Sequence, residues 1–169
     1  MSATGSLEDV LASLTPTTYA GHVHRVMLND YPPQRENTLG ARWNPLDVRA
    51  IYTCLEPAVC IAEVEYNLRR QPRPTKTTLR KTLYTIDVCV SAVVDLTASL
   101  SALEELGIGF AELFADDMKA SQEIGRLVTW LEYGGLIVPS ARASGKNLVI
   151  YPGRLTEDFR FEVVEQREL

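Results

Sequence analysis

Gly40-Ala-Arg-Trp-Asn44 leads into an apolar stretch ending near Tyr52, and Pro57 then opens a segment that carries Glu63. An Arg and an Asn on a loop, a Tyr at a strand end and a lone carboxylate beyond it form one loop–strand–helix unit. Arg25 precedes this unit and Ser140 follows it. The planar fork of a guanidinium grips phosphate or carboxylate through paired N–H donors. A carboxylate on an apolar face is partly desolvated. The plainer alternative makes Arg42 a surface cation, Trp43 and Tyr52 core residues, and Glu63 a solvated helix residue.

The elements that must hold these groups follow from periodicity. Residues 57–70 read as a helix, with Pro57 suited to its first position and a Pro-containing stop at 71–75. In that helix Glu63 neighbours Val59, Cys60, Tyr66 and Asn67 at three- and four-residue spacing, a mostly apolar face. Glu65 is set to pair with Arg69 on a solvated face. Two residues apart on a helix, Glu63 and Glu65 cannot enter one site, and Glu63 is the better candidate. Residues 19–28 alternate as a strand in which Arg25 is out of place. It either faces water on an edge or aims its guanidinium into a cleft. Ser140 ends an apolar strand at 136–140, as either a turn serine bonding its own backbone or a functional hydroxyl.

Around these, residues 7–14 form a helix capped by Ser6, within an N-terminal extension spanning 1–16. Residues 29–39 form a long Pro-bearing loop of the kind that often makes a lid. Gly40 allows a sharp turn before Arg42. Strands are expected at 48–53, 79–90, 93–96, 147–151 and 159–164. Short helices are expected at 101–106 and 110–115. A longer one at 118–133 is capped by Asp117 and ended by Gly134-Gly135. Gly107-Ile-Gly109 lacks the third glycine and the preceding strand of a dinucleotide fingerprint. Strands and short helices without regular βαβ alternation indicate an α+β fold, in one domain over 1–169.

Composition narrows the function. A net charge of −5 argues against direct nucleic-acid binding or an anionic membrane as partner. No run reaches membrane-spanning length, and the first residues carry no signal-peptide pattern. Three cysteines without a Cys-x-x-Cys pair read as reduced thiols in a cytoplasmic protein. With only His22 and His24 as histidines, no metal site is expected.

Taken together, the ordered motifs resemble the RES-domain toxins of RES–Xre toxin–antitoxin systems. Arg25, Glu63 in Pro57-Ala-Val-Cys-Ile-Ala-Glu63, and Ser140 in Val138-Pro-Ser-Ala141 match the Arg, Glu and Ser of the family name. Arg42-Trp43-Asn44, Tyr52, and Glu123-Ile-Gly125 with Trp130-Leu131 match further motifs. Ala41 stands where the family often has a second Gly, and Tyr151 where it usually has Asn.

The resemblance implies a split, mixed sheet like that of ADP-ribosyltransferases, with NAD as substrate and no metal. It also implies an Xre-like antitoxin as protein partner. Cleavage of the nicotinamide–ribose bond passes through an oxocarbenium-like state, which an anion in a dry site stabilises. On this reading Glu63 supplies the anion, Arg25 and Arg42 hold the pyrophosphate, Tyr52 stacks on nicotinamide, and Ser140 orients Glu63 or the ribose. Trp43 and Asn44 belong to the NAD-binding loop. The acceptor is water or phosphate. One rival transfers ADP-ribose to a protein side chain. Another is a non-enzymatic interaction module in which Arg25 and Glu63 are an internal ion pair.

Overall fold

A computed structural model describes residues 5–70 and 79–169. Helix α1 (Leu7–Ala12) leads to β1 (Thr17–Leu28), β2 (Ile51–Cys54) and α2 (Pro57–Arg70). Strand β3 (Lys81–Asp95), α3 (Leu100–Glu105), α4 (Phe110–Leu113) and α5 (Lys119–Trp130) follow. The chain ends with β4 (Gly135–Pro139), β5 (Lys146–Ile150) and β6 (Arg160–Glu168). The α+β class expected from the sequence is the one observed. The stop foreseen at 71–75 lies outside the described residues.

The six strands run β1-β2-β5-β4-β3-β6, and a further β1–β3 pairing closes the sheet on itself. Only β3 and β4 pair in parallel, Val93 beside Gly135, so the sheet is mixed. β1 pairs with β3 along almost its whole length, from Thr17–Val93 to Leu28–Lys81. On its other edge β1 meets β2 at one residue pair, His24 with Cys54. Past that point the two strands part, and α2 lies over the gap. The closed sheet is therefore split at one seam.

Apolar periodicity explains the packing. Val23, Ile86, Val88, Val90, Leu148 and Ile150 form one buried cluster. Ile124 and Val128 of α5 join Leu11, Leu136, Val138 and Tyr151 in a second. Val59 and Cys60 of α2 pack on Val26, Cys54 and Leu83 in a third.

Two boundaries differ from the sequence expectation. The strands expected at 79–90 and 93–96 are one strand, with Ala92 at φ 56° absorbing the break. α5 ends at Trp130, and Glu132 takes the left-handed conformation at φ 66° instead of a glycine. The Gly134-Gly135 pair serves close approach: a Cβ at Gly134 would lie 2.6 Å from the Ser91 carbonyl oxygen. The Ser6 cap holds, with its hydroxyl accepting from the Asp9 N–H and the Asp9 carboxylate accepting in return.

Candidate functional site

Glu63 sits midway along α2, at the floor of the seam. Val59 and Cys60, one turn earlier, are buried, which draws that helix face against the sheet. Glu65 is exposed and lies 3.7 Å from Arg69, so the helical period separates the two acids as expected.

The β4–β5 pairing sets Val138 opposite Asn147, and the hairpin closes through Ser140 N–H to the Gly145 carbonyl at 2.9 Å. This register brings two donors to one carboxylate oxygen. Ser140 Oγ and Asn147 Nδ2 each lie 2.7 Å from Glu63 Oε1. Ser140 Oγ also accepts from the Arg142 N–H at 3.2 Å, so the turn contact and the Glu63 contact coexist. Among the described residues Glu63 Oε2 meets only the Cys54 thiol, at 3.7 Å. Contact with Cys60, burial and the Glu63 carboxylate push the Cys54 thiol far up, so it stays protonated and donates. Asn147, which motif reasoning passed over, leaves its buried Oδ1 without a partner among the described residues.

Glu63, Tyr52, Asn37 and Asn67 stand where two lobes of one cleft meet. The first lobe, about 570 Å³, lies in the seam between β1, β2 and α2, with Arg25 and Arg35 on its wall. The second, about 390 Å³, is bounded by Arg42, Tyr66, Arg70, Phe114 and Arg142. Both volumes suit a small organic ligand.

The two motif arginines are held, not loose. Arg25 is turned in from β1, and its Nη1 donates to the carbonyls of Pro33 (2.5 Å) and Arg35 (2.7 Å). It thereby ties the 29–39 loop to the strand. Burial, helped by nearby Arg35, pushes its pKa down to about 10, and it remains a cation at neutral pH. Arg25 and Glu63 are not an ion pair. Arg42 Nη1 donates to the Leu113 and Ala115 carbonyls, both at 2.9 Å, gripping the end of α4. Burial and then Arg142 lower the pKa of Arg42, with Asp116 opposing.

Loop 40–44 is fixed from several sides. Gly40 takes φ 83°. Gln122 Nε2 donates to the Ala41 carbonyl at 2.9 Å, and Tyr151 Oη donates to the Trp43 carbonyl at 2.9 Å. Tyr52 Oη accepts from the Trp43 N–H (2.9 Å) and donates to Asn44 Oδ1 (2.6 Å). Burial raises the pKa of that phenol, which keeps its proton.

Two residues of the expected NAD-binding loop are largely buried, although Trp43 still borders the smaller lobe. Asn44 is wholly buried, with its Nδ2 on the Val48 carbonyl at 2.7 Å. Trp43 is 3% exposed and packs edge-on against Phe114. Asn44 shapes the loop from behind, and Trp43 packs inward while bordering the smaller lobe. Tyr52 keeps its ring on the cleft wall. Among the described residues no group of His, Cys, Asp and Glu is arranged to hold a metal. No helix among them is long and apolar enough to cross a membrane.

The arrangement offers a carboxylate at the junction of two arginine-bearing lobes, with one oxygen held by two donors and the other met by a thiol. The RES domain model matches residues 22–169. Proteins named NAD(+) phosphorylase MbcT, from Mycobacterium bovis and Mycobacterium tuberculosis, are 34% identical over 143 residues, spanning 80% of this chain and 72% of theirs. The solved M. tuberculosis MbcT–MbcA toxin–antitoxin complex contains a chain similar in fold, with a TM-score of 0.79 at 23% identity. That similarity covers 99% of this chain and 94% of the solved one. With the family model matching most of its length, the chain belongs to the RES domain family.

Proposed function

We propose that this chain is the toxin of a toxin–antitoxin pair and that it consumes NAD by phosphorolysis of the nicotinamide–ribose bond. The observation that carries this reading is Glu63 at the meeting point of the lobes, with Oε1 held by two strong donors and Oε2 by no more than the weak Cys54 thiol among the described residues. The named activity of the 34%-identical relatives supports the same reaction.

The residues divide the work. Ser140 and Asn147 fix the rotamer of Glu63, so that Oε2 faces the ribose carbon that becomes cationic. An anion pre-positioned there lowers the barrier most in a site shielded from water. Nicotinamide departs neutral from a cationic substrate, so no general acid is required. Arg25 and Arg35 line the larger lobe and offer it the charge for the dinucleotide's diphosphate. Tyr52 presents its ring at the junction, where nicotinamide would stack. Asn44 and Trp43 hold the loop that carries Arg42.

An NAD-consuming enzyme harms its own cell, which calls for a partner that blocks the cleft. We assign that role to an antitoxin of the Xre type, acting in the cytoplasm. Reduced Cys54, Cys60 and Cys89 fit that compartment.

The test is nicotinamide release from NAD by the purified chain, with and without phosphate. Wild type, Glu63→Gln and Glu65→Gln are compared. Loss of the Oε2 charge in Glu63→Gln is expected to lower the rate by about 10²-fold or more, and Glu65→Gln to stay within twofold. No NAD loss from folded wild type would overturn the reading and favour ADP-ribosyl transfer to a protein. Equal rates for Glu63→Gln and wild type would remove Glu63 from the chemistry.

A further inference from the structure

The smaller lobe is richer in cations than holding a neutral or water-derived acceptor requires. Arg42, Arg70 and Arg142 all line it, in a chain whose net charge is −5. Tyr66 lies among them: the Arg142 guanidinium stands 3.6 Å over its ring, and the Arg70 guanidinium 5.6 Å from it. Arg70 also donates to Tyr66 Oη at 3.2 Å and lies 3.7 Å from Asp116. The Arg142 guanidinium has no hydrogen-bond acceptor and no acidic partner among the described residues. Stacking on Tyr66 fixes the plane of the guanidinium and leaves its in-plane N–H donors for a ligand.

Arg142 is also joined to the reacting end of the site. Its backbone N–H donates to Ser140 Oγ, and that hydroxyl donates to Glu63 Oε1. The turn that presents the guanidinium therefore also orients the carboxylate.

We infer that the smaller lobe is the acceptor subsite, where Arg142, with Arg70 and Arg42, holds inorganic phosphate for attack on the ribose carbon. This rests on the NAD-phosphorolysis reading and gives that reaction its second substrate site. A water acceptor needs a base and no cation. A phosphate dianion must approach within a few ångströms of Glu63, a like charge, and requires cations to be held there. It needs no base, because an unprotonated phosphate oxygen supplies the electron pair. The glycosidic C–N bond breaks with its pair passing to nicotinamide, and a C–O bond forms to phosphate. The phosphate keeps its proton through that step and releases it to solvent afterwards. Arg25 and Arg35 remain with the dinucleotide in the larger lobe.

The experiment measures initial rates against phosphate and against NAD separately, for wild type, Arg142→Gln, Arg142→Lys and the Arg70→Gln/Arg142→Gln pair. Arg142 is exposed, so its replacement leaves folding intact, which a melting curve checks. The expected result is a KM for phosphate raised about tenfold or more in Arg142→Gln, with the KM for NAD changing less than threefold. The lysine variant falls between, because it keeps the charge and loses the fork. An unchanged phosphate KM overturns the inference. So does an NAD KM rising as much as that for phosphate, which would place the dinucleotide's diphosphate in this lobe. Calorimetric titration of the protein with inorganic phosphate alone separates the subsite from the reaction. If wild type degrades no NAD yet binds phosphate tenfold more tightly than Arg142→Gln, the reaction fails and the subsite stands. If it neither turns over NAD nor shows Arg142-dependent phosphate binding, both fail.

Discussion

Alanine at position 125 places a methyl group where the Trp43 carbonyl now lies. A Cβ built on Gly125 would stand 1.9 Å from that oxygen, 2.7 Å from its carbon and 3.2 Å from Tyr151 Oη. Real Cβ contacts do not fall below 3.0 Å, so the loop or α5 must retreat by about 1.1 Å. Retreat breaks the 2.9 Å bond from Tyr151 Oη to the Trp43 carbonyl, and Tyr151 is 1% exposed, so its hydroxyl finds no water.

Overpacking costs about 1–3 kcal/mol and an orphaned buried hydroxyl about 1–3 kcal/mol. The two share a cause and do not add fully, so Gly125→Ala is expected to lose about 2–5 kcal/mol. For a domain of this size that is a fall in Tm of roughly 4–20 °C. Loop 40–44 carries Arg42, and a displacement near 1 Å at a positioning group costs about 10²-fold in rate. Thermal melting and NAD turnover on the same preparation measure both effects. Tyr151→Phe separates them: it removes the hydroxyl but keeps the clearance, so it is expected to destabilise less and retain more activity. Gly125→Ala within about 0.5 kcal/mol of wild type and fully active would refute the reasoning, because the contact would then carry no constraint.

Tyr52→Phe keeps the ring on the cleft wall but leaves the Trp43 N–H and the buried Asn44 Oδ1 without their partner. A loss of about 2–4 kcal/mol by urea unfolding is expected, and an unchanged midpoint would show that the phenol does not tie the loop. His24 titrates against the fold. Burial, then His22, lowers its pKa in the folded state, with Glu165 opposing, and Thr85 Oγ1 lies 3.1 Å from its Nδ1. The unfolded chain therefore takes up this proton first. Stability is unaffected above about pH 6.5 and falls as the pH drops from there towards the folded pKa. His24→Gln is expected to flatten the pH dependence of Tm in that window, and a curve parallel to wild type would exclude His24 as the source.

The sequence carried the site's parts further than their connections. The separation of Glu63 from Glu65 was legible because helical period and the Pro57 start act locally, and α2 begins at Pro57. Ser140 at a strand end was legible for the same reason. Its bond to Glu63 spans 77 positions and depends on the β4–β5 register, which no local pattern encodes. Asn147 was missed because an Asn at the start of a strand looks like an ordinary turn residue. A pairing of β4 with β5 would have set it opposite Val138, two residues before Ser140. Arg25 is out of place in its strand and Arg42 stands in a loop motif, but the carbonyls they grip belong to loops whose paths follow from tertiary packing. Asn44 shows a different limit of motif reading. A motif places a residue in a binding loop but does not say which way it faces, and burial turns the Asn44 side chain onto Val48 and Tyr52. A glycine pair after an apolar stripe, such as Gly134-Gly135, usually marks a helix stop. Here the missing side chains admit the Ser91 carbonyl and the neighbouring strands.

The single His24–Cys54 pairing between β1 and β2 has a bearing on how such a protein can diversify. Most enzymes make room for a ligand by leaving the interior less filled, and pay in stability when that room is enlarged. Here the room comes from rungs omitted from a ladder, while Val23, Ile51 and Ile86 stay packed beneath it. Side chains along the parted edges that lie outside the Val26–Cys54–Val59 cluster can be exchanged without opening a void in the interior. Descendants of this fold are thereby free to alter what enters the seam, and what blocks it, while the closed sheet and the helix α2 that carries Glu63 stay the same.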